Sequence, residues 1–195
     1  MQGLIIVAHP HPTGSHTRHA FEHAIQLLDE TKADYEVIDL YADGFDPVMR
    51  DKPTKKHLTQ LDRYRSLIDG ADAILICYPV WWNGPPAILK GFFDCILTQG
   101  WAYHYYMTPI PKIGLPIGHL KGKRAAIVST SGALNFLHFF IQGSRAGVVI
   151  AHDVLSFVGM KTRRFNIGGC QVYDESSARR IEGKVRGALR WLRLL

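Results

Sequence analysis

The residues best suited to chemistry begin directly after the first apolar stretch of the chain. Gly3–Ala8 is followed by His-Pro-His-Pro-Thr-Gly-Ser-His-Thr at positions 9–17, which contains neither the GxGxxG of a dinucleotide-binding turn nor the GK[ST] of a P-loop. The segment is rich in hydroxyl groups and opens onto a predicted helix, whose free amides and dipole favour a phosphate group. Ser15 and Thr17 could donate hydrogen bonds to that phosphate or could simply cap the helix. His9 could contact a ligand or be structural.

Two further segments follow predicted strands and carry groups that could contact a flat ligand. Residues 79–86 read Pro-Val-Trp-Trp-Asn-Gly-Pro-Pro. Adjacent tryptophans are costly to expose, so we expect one to pack in the core and the other to form a wall of an aromatic pocket. Residues 129–133 read Ser-Thr-Ser-Gly-Ala. Small residues at a strand end let backbone N–H groups point at a carbonyl or an anion, although they also make ordinary turns.

The apolar pattern predicts the elements that position these three segments. Five short segments are predicted to be strands: Gly3–Ala8, Tyr35–Leu40, Ala71–Tyr78, Arg124–Thr130 and Lys161–Ile167. Gly3–Ala8 is a continuous apolar run, as expected of a strand buried on both faces, and Ala71–Tyr78 is the most obvious buried strand. Helical periodicity separates the five segments, and strand–helix alternation favours an α/β fold with a parallel sheet covered by helices on both faces. Such sheets bind ligands at the carboxyl ends of their strands. We find no linker or repeat, and therefore expect a single domain over residues 1–195.

The composition is typical of a globular, cytoplasmic protein. Of the 195 residues, 47% are apolar and 21% are charged, which is ordinary for a globular domain. No apolar run approaches the roughly 18 residues of a membrane span, and the N-terminus has no pattern of a signal peptide. The three cysteines are widely spaced and form neither a disulfide framework nor a CxxC metal site, so we predict no metal site and a reducing compartment.

The net charge of +6 is concentrated at the C-terminal end. Residues 161–195 contain nine Lys or Arg against three Asp or Glu, whereas residues 1–160 contain fourteen of each. A basic patch could attract nucleic acid or a membrane surface. Within residues 176–195, however, apolar side chains recur at helical spacing and the arginines fall between them. This pattern favours an amphipathic surface helix, and we predict no nucleic-acid partner.

Taken in order, these segments resemble the NAD(P)H:quinone oxidoreductase family with a flavodoxin-like fold. The resemblance rests on Ala-His-Pro and the Ser/Thr segment at 8–17, PVWWNGPPAILKGFFD at 79–94, GWAYHYY at 100–106 and STSG at 129–132. The stretch 79–94 is the most specific. The family includes DT-diaphorases, bacterial modulator-of-drug-activity reductases and ancillary quinone reductases of potassium-efflux systems. The resemblance implies a doubly wound, five-stranded parallel sheet of order 2-1-3-4-5.

The resemblance also implies a division of labour around a flavin. The phosphate side of the flavin would be contacted by His9, Ser15, His16 and Thr17. The isoalloxazine ring would be contacted by Pro79, Val80, Trp81, Trp82 and Asn83. The pyrimidine edge of the ring would be contacted by Thr130, Ser131 and Gly132. Two residues of the aromatic run 101–106 match tyrosines that line the acceptor pocket across a dimer interface, namely Tyr103 and Tyr105.

The activity implied is a ping-pong transfer of two electrons, as hydride, from NADH or NADPH through the flavin to a quinone-type acceptor. FMN is favoured as the cofactor, with FAD as the alternative, and the protein is expected to be a homodimer. Two other functions remain open. One is a flavodoxin-like electron carrier, and the other is a flavin-binding regulatory subunit of a membrane transport system, which would make a membrane protein its partner.

One segment departs from the family pattern. DT-diaphorases carry a tyrosine and a histidine after the small-residue loop, but residues 134–140 here read Leu-Asn-Phe-Leu-His-Phe-Phe, without a tyrosine. His138 is therefore a candidate catalytic residue that would assist the reaction at the flavin. The alternative is that it forms part of an aromatic wall.

Overall fold

Seven strands are present in the computed structural model, which describes residues 1–133 and 145–195. They are β1 (Gly3–Val7), β2 (Tyr35–Asp39), β3 (Ala73–Pro79), β4 (Tyr103–Met107), β5 (Gly114–Gly118), β6 (Arg124–Thr130) and β7 (Lys161–Ile167). Five of them form one parallel sheet of order β2-β1-β3-β6-β7. Because β4 and β5 lie outside this sheet, the order confirms the predicted 2-1-3-4-5.

The sheet separates two apolar cores. Side chains of a strand alternate between its faces, so Leu4 and Ile6 of β1 enter one core while Ile5 and Val7 enter the other. The described helices are α1 (His16–Glu30), α2 (Lys55–Gly70), α3 (Ala87–Ile96), α4 (Arg145–Val148, continuing as the π-helix Val149–Ser156) and α5 (Glu175–Leu192). The first core is covered by α2, α3 and the π-helix, and the second by α1 and α5. No helix of the described ranges is long and apolar enough to cross a membrane.

The segment between α3 and β6 differs from the sequence prediction. The five predicted strands include none in this segment, but residues 99–120 contain β4 and β5, which pair as an antiparallel hairpin with Tyr103 opposite Gly118. Pro116 lies inside β5 and glycines end that strand on both sides. Proline and glycine weaken the sequence signal of a strand, which explains why the hairpin was missed.

Two glycines fix how the loops and the hairpin pack on the rest of the fold. A Cβ atom on Gly91 of α3 would lie 2.2 Å from the carbonyl oxygen of Pro47, and one on Gly118 would lie 2.1 Å from the carbonyl carbon of Val158. Only glycine permits such close backbone approach. The hairpin is therefore held against the end of the π-helix by a contact that no larger residue allows.

Candidate functional site

The first turn of α1 lies at the carboxyl edge of the sheet and is capped by Ser15. The Ser15 hydroxyl accepts a hydrogen bond from the N–H of Arg18 at 3.1 Å, which identifies this serine as the N-cap. The remaining amides of a first helical turn have no acceptor within the helix. Capping, one of the two predicted roles of Ser15, is thus confirmed, and the amides of His16 and Thr17 are positioned to receive an anion.

His9 packs beside this helix end in a neutral form. The N–H of His11 donates to Nδ1 of His9 at 3.2 Å, and the Ser15 hydroxyl lies 3.3 Å from the same nitrogen. Burial is the main cause that lowers the pKa of His9 below its ordinary value, so the ring is uncharged near neutral pH. Nδ1 also lies 3.3 Å from the carbonyl oxygen of His11, so the loop occupies this nitrogen and Nε2 is the ring nitrogen that remains for a ligand.

Arg18 holds the loop in place, and sequence reasoning did not single it out. Its guanidinium lies 2.6 Å from the carboxylate of Asp39 at the end of β2. It also donates to the carbonyls of His9 at 3.1 Å and His11 at 2.9 Å. The pairing depends on a contact between the first helix and the second strand, which no local pattern reveals.

The three predicted segments meet in one cleft of about 210 Å³. They do so because they follow β1, β3 and β6, which are neighbours in the sheet. A buried hydrogen bond of 2.7 Å between the hydroxyls of Thr17 and Thr130 joins the first segment to the third. Ten of the twelve residues predicted around the flavin line this cleft: His9, Ser15, His16, Thr17, Pro79, Val80, Trp81, Thr130, Ser131 and Gly132.

The other two predicted residues, Trp82 and Asn83, form a tight turn at the rim of the cleft and do not line it. Trp81 and Gly84 exchange two backbone hydrogen bonds of 3.0 Å, and the φ angles of Trp82 and Asn83 are 50° and 58°. Two positive φ angles define the type I′ turn, a conformation that asparagine tolerates and tryptophan rarely adopts. The turn carries Trp82 into solvent and leaves Trp81 42% exposed, so the expectation that one tryptophan packs in the core is wrong.

The small-residue segment is locked to β7 and to Cys170. The N–H of Ser131 donates to the carbonyl of Ile167 at 2.9 Å, and its carbonyl accepts from the N–H of Cys170 at 2.8 Å. The Ser131 amide is therefore not available to a ligand, and the amides of Gly132 and Ala133 are the candidates that remain. Cys170 lines the cleft, and burial raises the pKa of its thiol. Sequence reasoning missed this contact because a lone cysteine beyond the fifth strand gives no signal.

The predicted acceptor tyrosines lie away from the cleft of their own chain. The ring of Tyr103 packs edge-on against Phe157 at 5.0 Å and against Tyr105 at 5.6 Å. Tyr103 lines a separate apolar hollow beside α3 and the π-helix. A contribution to the cleft of a partner subunit stays a prediction. His138 lies outside the described residues.

Residues 1–192 match the model of a protein family that is described by its flavodoxin-like fold. An NAD(P)H oxidoreductase from Haemophilus influenzae is 31% identical over 176 residues, covering 87% of this chain and 84% of that protein. The chain belongs to the flavodoxin-like NAD(P)H:quinone oxidoreductase family. Membership confirms the family resemblance that the sequence segments indicated.

Two further members of this family are similar to the chain. An FMN-dependent NADH:quinone oxidoreductase from Lachnoclostridium phytofermentans is 32% identical over 129 residues, covering 60% of this chain and 62% of that protein. The structure of an NAD(P)H:quinone oxidoreductase from Methanothermobacter marburgensis superposes with a TM-score of 0.75 at 26% identity, over 99% of this chain and 97% of that one.

Proposed function

We propose that this protein is a flavin-dependent NAD(P)H oxidoreductase that reduces quinone-type acceptors, with FMN as its cofactor. The observation that carries the proposal is the convergence of three post-strand segments on one cleft, at the edge where parallel sheets bind ligands. Relatives named as NAD(P)H:quinone oxidoreductases, one of them as FMN-dependent, support it. Bound flavin would supply the two-electron chemistry, while the protein supplies binding, orientation and electrostatics.

The chemistry of the cleft fits the phosphate end of FMN. The amides of His16 and Thr17 lie at a helix N-terminus, where the macrodipole stabilises negative charge. Neutral His9 would offer its Nε2 atom as a further polar contact, without the cost of burying a cation. Arg18 is committed to Asp39 and to two backbone carbonyls, so it would hold the loop in shape and not contact the phosphate itself.

The opposite side of the cleft fits the ring. Val80 and Trp81 would lie along the isoalloxazine, since Pro79 and the type I′ turn fix their backbone. The amides of Gly132 and Ala133 would donate to the pyrimidine edge, where they would stabilise negative charge as the donors of an oxyanion hole do. The volume of about 210 Å³ is below the roughly 300–1,000 Å³ of typical ligand pockets. We propose that a second subunit completes the site.

A homodimer would bury the apolar surface of the β4–β5 hairpin. On the face of β4 that carries Tyr103, the exposed large apolar side chains are Tyr105 and Met107, and Ile110 and Ile113 follow in the turn. Exposed apolar patches of this kind mark interfaces. We propose that Tyr103 and Tyr105 reach the partner's cleft. Met107→Asp should then convert the dimer to a monomer in light scattering, whereas Leu58→Asp on α2 should not. A wild-type monomer at micromolar concentration would refute the shared site.

The absorbance spectrum of the purified protein, with mass identification of any released flavin, tests the cofactor. Colourless protein that leaves the fluorescence of added FMN and FAD unquenched would overturn the proposal. Steady-state oxidation of NADH or NADPH with a quinone then separates an enzyme from an electron carrier or a regulatory subunit. Flavin-loaded protein that oxidises neither nucleotide would favour one of those two functions.

A pair of cap variants tests the phosphate loop. Ser15 caps α1, and Thr54 caps α2 in the same way, by accepting from the N–H of His57 at 3.2 Å. Both Ser15→Ala and Thr54→Ala should lower stability by about 0.5–2 kcal/mol. Only Ser15→Ala should also weaken FMN binding, at least about tenfold, because a hydrogen bond to a charged group contributes about 1.5–3 kcal/mol. Equal FMN affinity in the two variants would show that Ser15 acts only as a helix cap.

We also propose a cytoplasmic location. Cys77, Cys95 and Cys170 are all unpaired, and the first two are buried. Free cysteines are expected in a reducing compartment.

A further inference from the structure

Two histidines meet on the hairpin, outside the cleft, and the proposed function gives them no role. His104 lies on β4 and His119 directly follows β5. Nδ1 of His104 is 2.6 Å from Nε2 of His119, and the ring centroids are 4.9 Å apart. At this distance one nitrogen donates a proton to the other. Imidazole nitrogens that share a proton in this way could instead share a metal ion.

The surroundings of His119 select the form of the ring that binds metals. Its Nδ1 lies 2.9 Å from the carbonyl oxygen of Trp101, so Nδ1 carries a proton and donates it. The lone pair is then on Nε2, the nitrogen that faces His104. A metal-bound histidine almost always donates its other N–H to such an outer partner, which fixes the tautomer and the orientation of the ring.

The backbone that carries the pair is held by several contacts. The N–H of His119 donates to the carbonyl of Ala102 at 2.8 Å. The indole of Trp101 donates to the carboxylate of Asp69 at 3.2 Å, and the guanidinium of Arg65 lies 5.6 Å from the centre of its ring. The histidine pair thus sits on a preformed base, and binding an ion would require little ordering of the chain.

Both histidines are accessible without disturbing the proposed acceptor site. Each is exposed, and successive side chains of a strand point to opposite faces. His104 therefore lies on the face of β4 opposite to Tyr103 and Tyr105, whose rings contact each other. An ion at the pair and a quinone near these tyrosines would occupy different sides of the hairpin.

We propose that His104 and His119 form a binding site for a divalent transition-metal ion of the Zn²⁺ class, completed by water. Zn–N bonds are about 2.0–2.1 Å, which places two tetrahedral nitrogen ligands about 3.3 Å apart. The pair must open by less than about 1 Å, a movement that rotation of the exposed His104 side chain provides. The proton of His104 then moves from Nδ1 to Nε2 by exchange with solvent, so that the neutral ring binds the ion through Nδ1. Within residues 1–133 and 145–195, no group of three His, Cys, Asp or Glu side chains is arranged to hold a metal, so open positions remain for water.

Isothermal titration of the purified, chelator-treated, full-length protein with Zn²⁺ tests the site. We expect the wild-type protein to bind one Zn²⁺ per chain. His104→Gln and His119→Gln should each weaken the affinity for Zn²⁺ at least about tenfold, since loss of even an outer-shell partner lowers metal affinity roughly 10–100-fold. His152→Gln is the matched control, because His152 is also an exposed histidine and pairs only with the neighbouring Asp153 among the described residues.

The outcome is independent of the proposed enzyme activity, because the measured quantity is metal binding. Urea unfolding and circular dichroism check that each variant is folded. Equal Zn²⁺ binding by the wild type and the double variant His104→Gln/His119→Gln would overturn the site, and so would an absence of binding by the wild type. If His152→Gln lost Zn²⁺ binding while the double variant kept it, the ion would bind at another site, and the proposal would be refuted.

Discussion

Replacing Arg18 with glutamine should weaken both the fold and the candidate phosphate loop. The guanidinium is 2.6 Å from the Asp39 carboxylate, and the two side chains are only 7% and 17% exposed. Removing one partner of a buried ion pair costs about 3–5 kcal/mol. Asp39 would keep two backbone N–H donors from the turn after β2, so we expect a loss of unfolding free energy near the lower end, about 3 kcal/mol.

Urea unfolding measures this loss, with Arg50→Gln as the matched control. Arg50 pairs with Asp46 at 3.1 Å, but both side chains are about half exposed, so its loss should stay below about 1 kcal/mol. FMN titration should show weaker binding in Arg18→Gln and unchanged binding in Arg50→Gln, because only Arg18 supports the loop carbonyls of His9 and His11. If Arg18→Gln were as stable as Arg50→Gln, the ion pair between Arg18 of α1 and Asp39 of β2 would not stabilise the fold.

Three other predictions concern separate parts of the chain. Gly91→Ala should lower the free energy of unfolding by about 1–3 kcal/mol through overpacking. Gly183→Ala, whose Cβ would meet nothing within 4 Å, should raise it by about 0.5–1 kcal/mol. Equal midpoints of urea unfolding in the two variants would contradict both predictions. Burial lowers the pKa of His23 in the folded protein. As the pH falls below about 6.5, the His23 ring is therefore protonated first in the unfolded chain, and the free energy of unfolding decreases. Urea unfolding at several pH values should show a smaller decrease for His23→Gln over that range. His138→Gln should leave flavin reduction by NADPH, measured by stopped flow, within about threefold, whereas a loss of about 10²-fold would identify an acid–base catalyst.

The sheet could be predicted because strands at its centre are apolar on both faces. Every residue of β1 and β3 is buried, and such runs stand out in a sequence. The cleft followed from the sheet, since ligand-binding segments lie after its strands. Features that depend on contacts between distant residues could not be predicted in this way. The Arg18–Asp39 pair, the Cys170 wall and the Thr17–Thr130 bond each join segments with no shared local pattern.

At Trp81 and Trp82 the geometry of the turn outweighs the tendency of large aromatic side chains to be buried. Burial of large aromatic side chains is the general trend, and it led to the wrong expectation for Trp81 and Trp82. Asn-Gly at positions 83 and 84 would be expected at the two central positions of a type I′ turn, but the observed turn lies one residue earlier. Trp81 and Gly84 close it, and Trp82 takes a positive φ together with Asn83. Turn geometry thus decided where Trp82 lies, at the expense of its burial.

The strand order also constrains how the chain can fold as it is synthesised. In the finished sheet β3 pairs with β1 through Ala73 and Gly3, and with β6 through Ala73 and Arg124. A nascent chain that ends before β6 therefore presents a fully apolar strand with one unpaired edge. Unpaired edges of this kind template association with other chains, and parallel pairing over long sequence separations is slow to form. We expect fragments that stop short of residue 124 to aggregate, because β6 is the strand that covers this edge of β3.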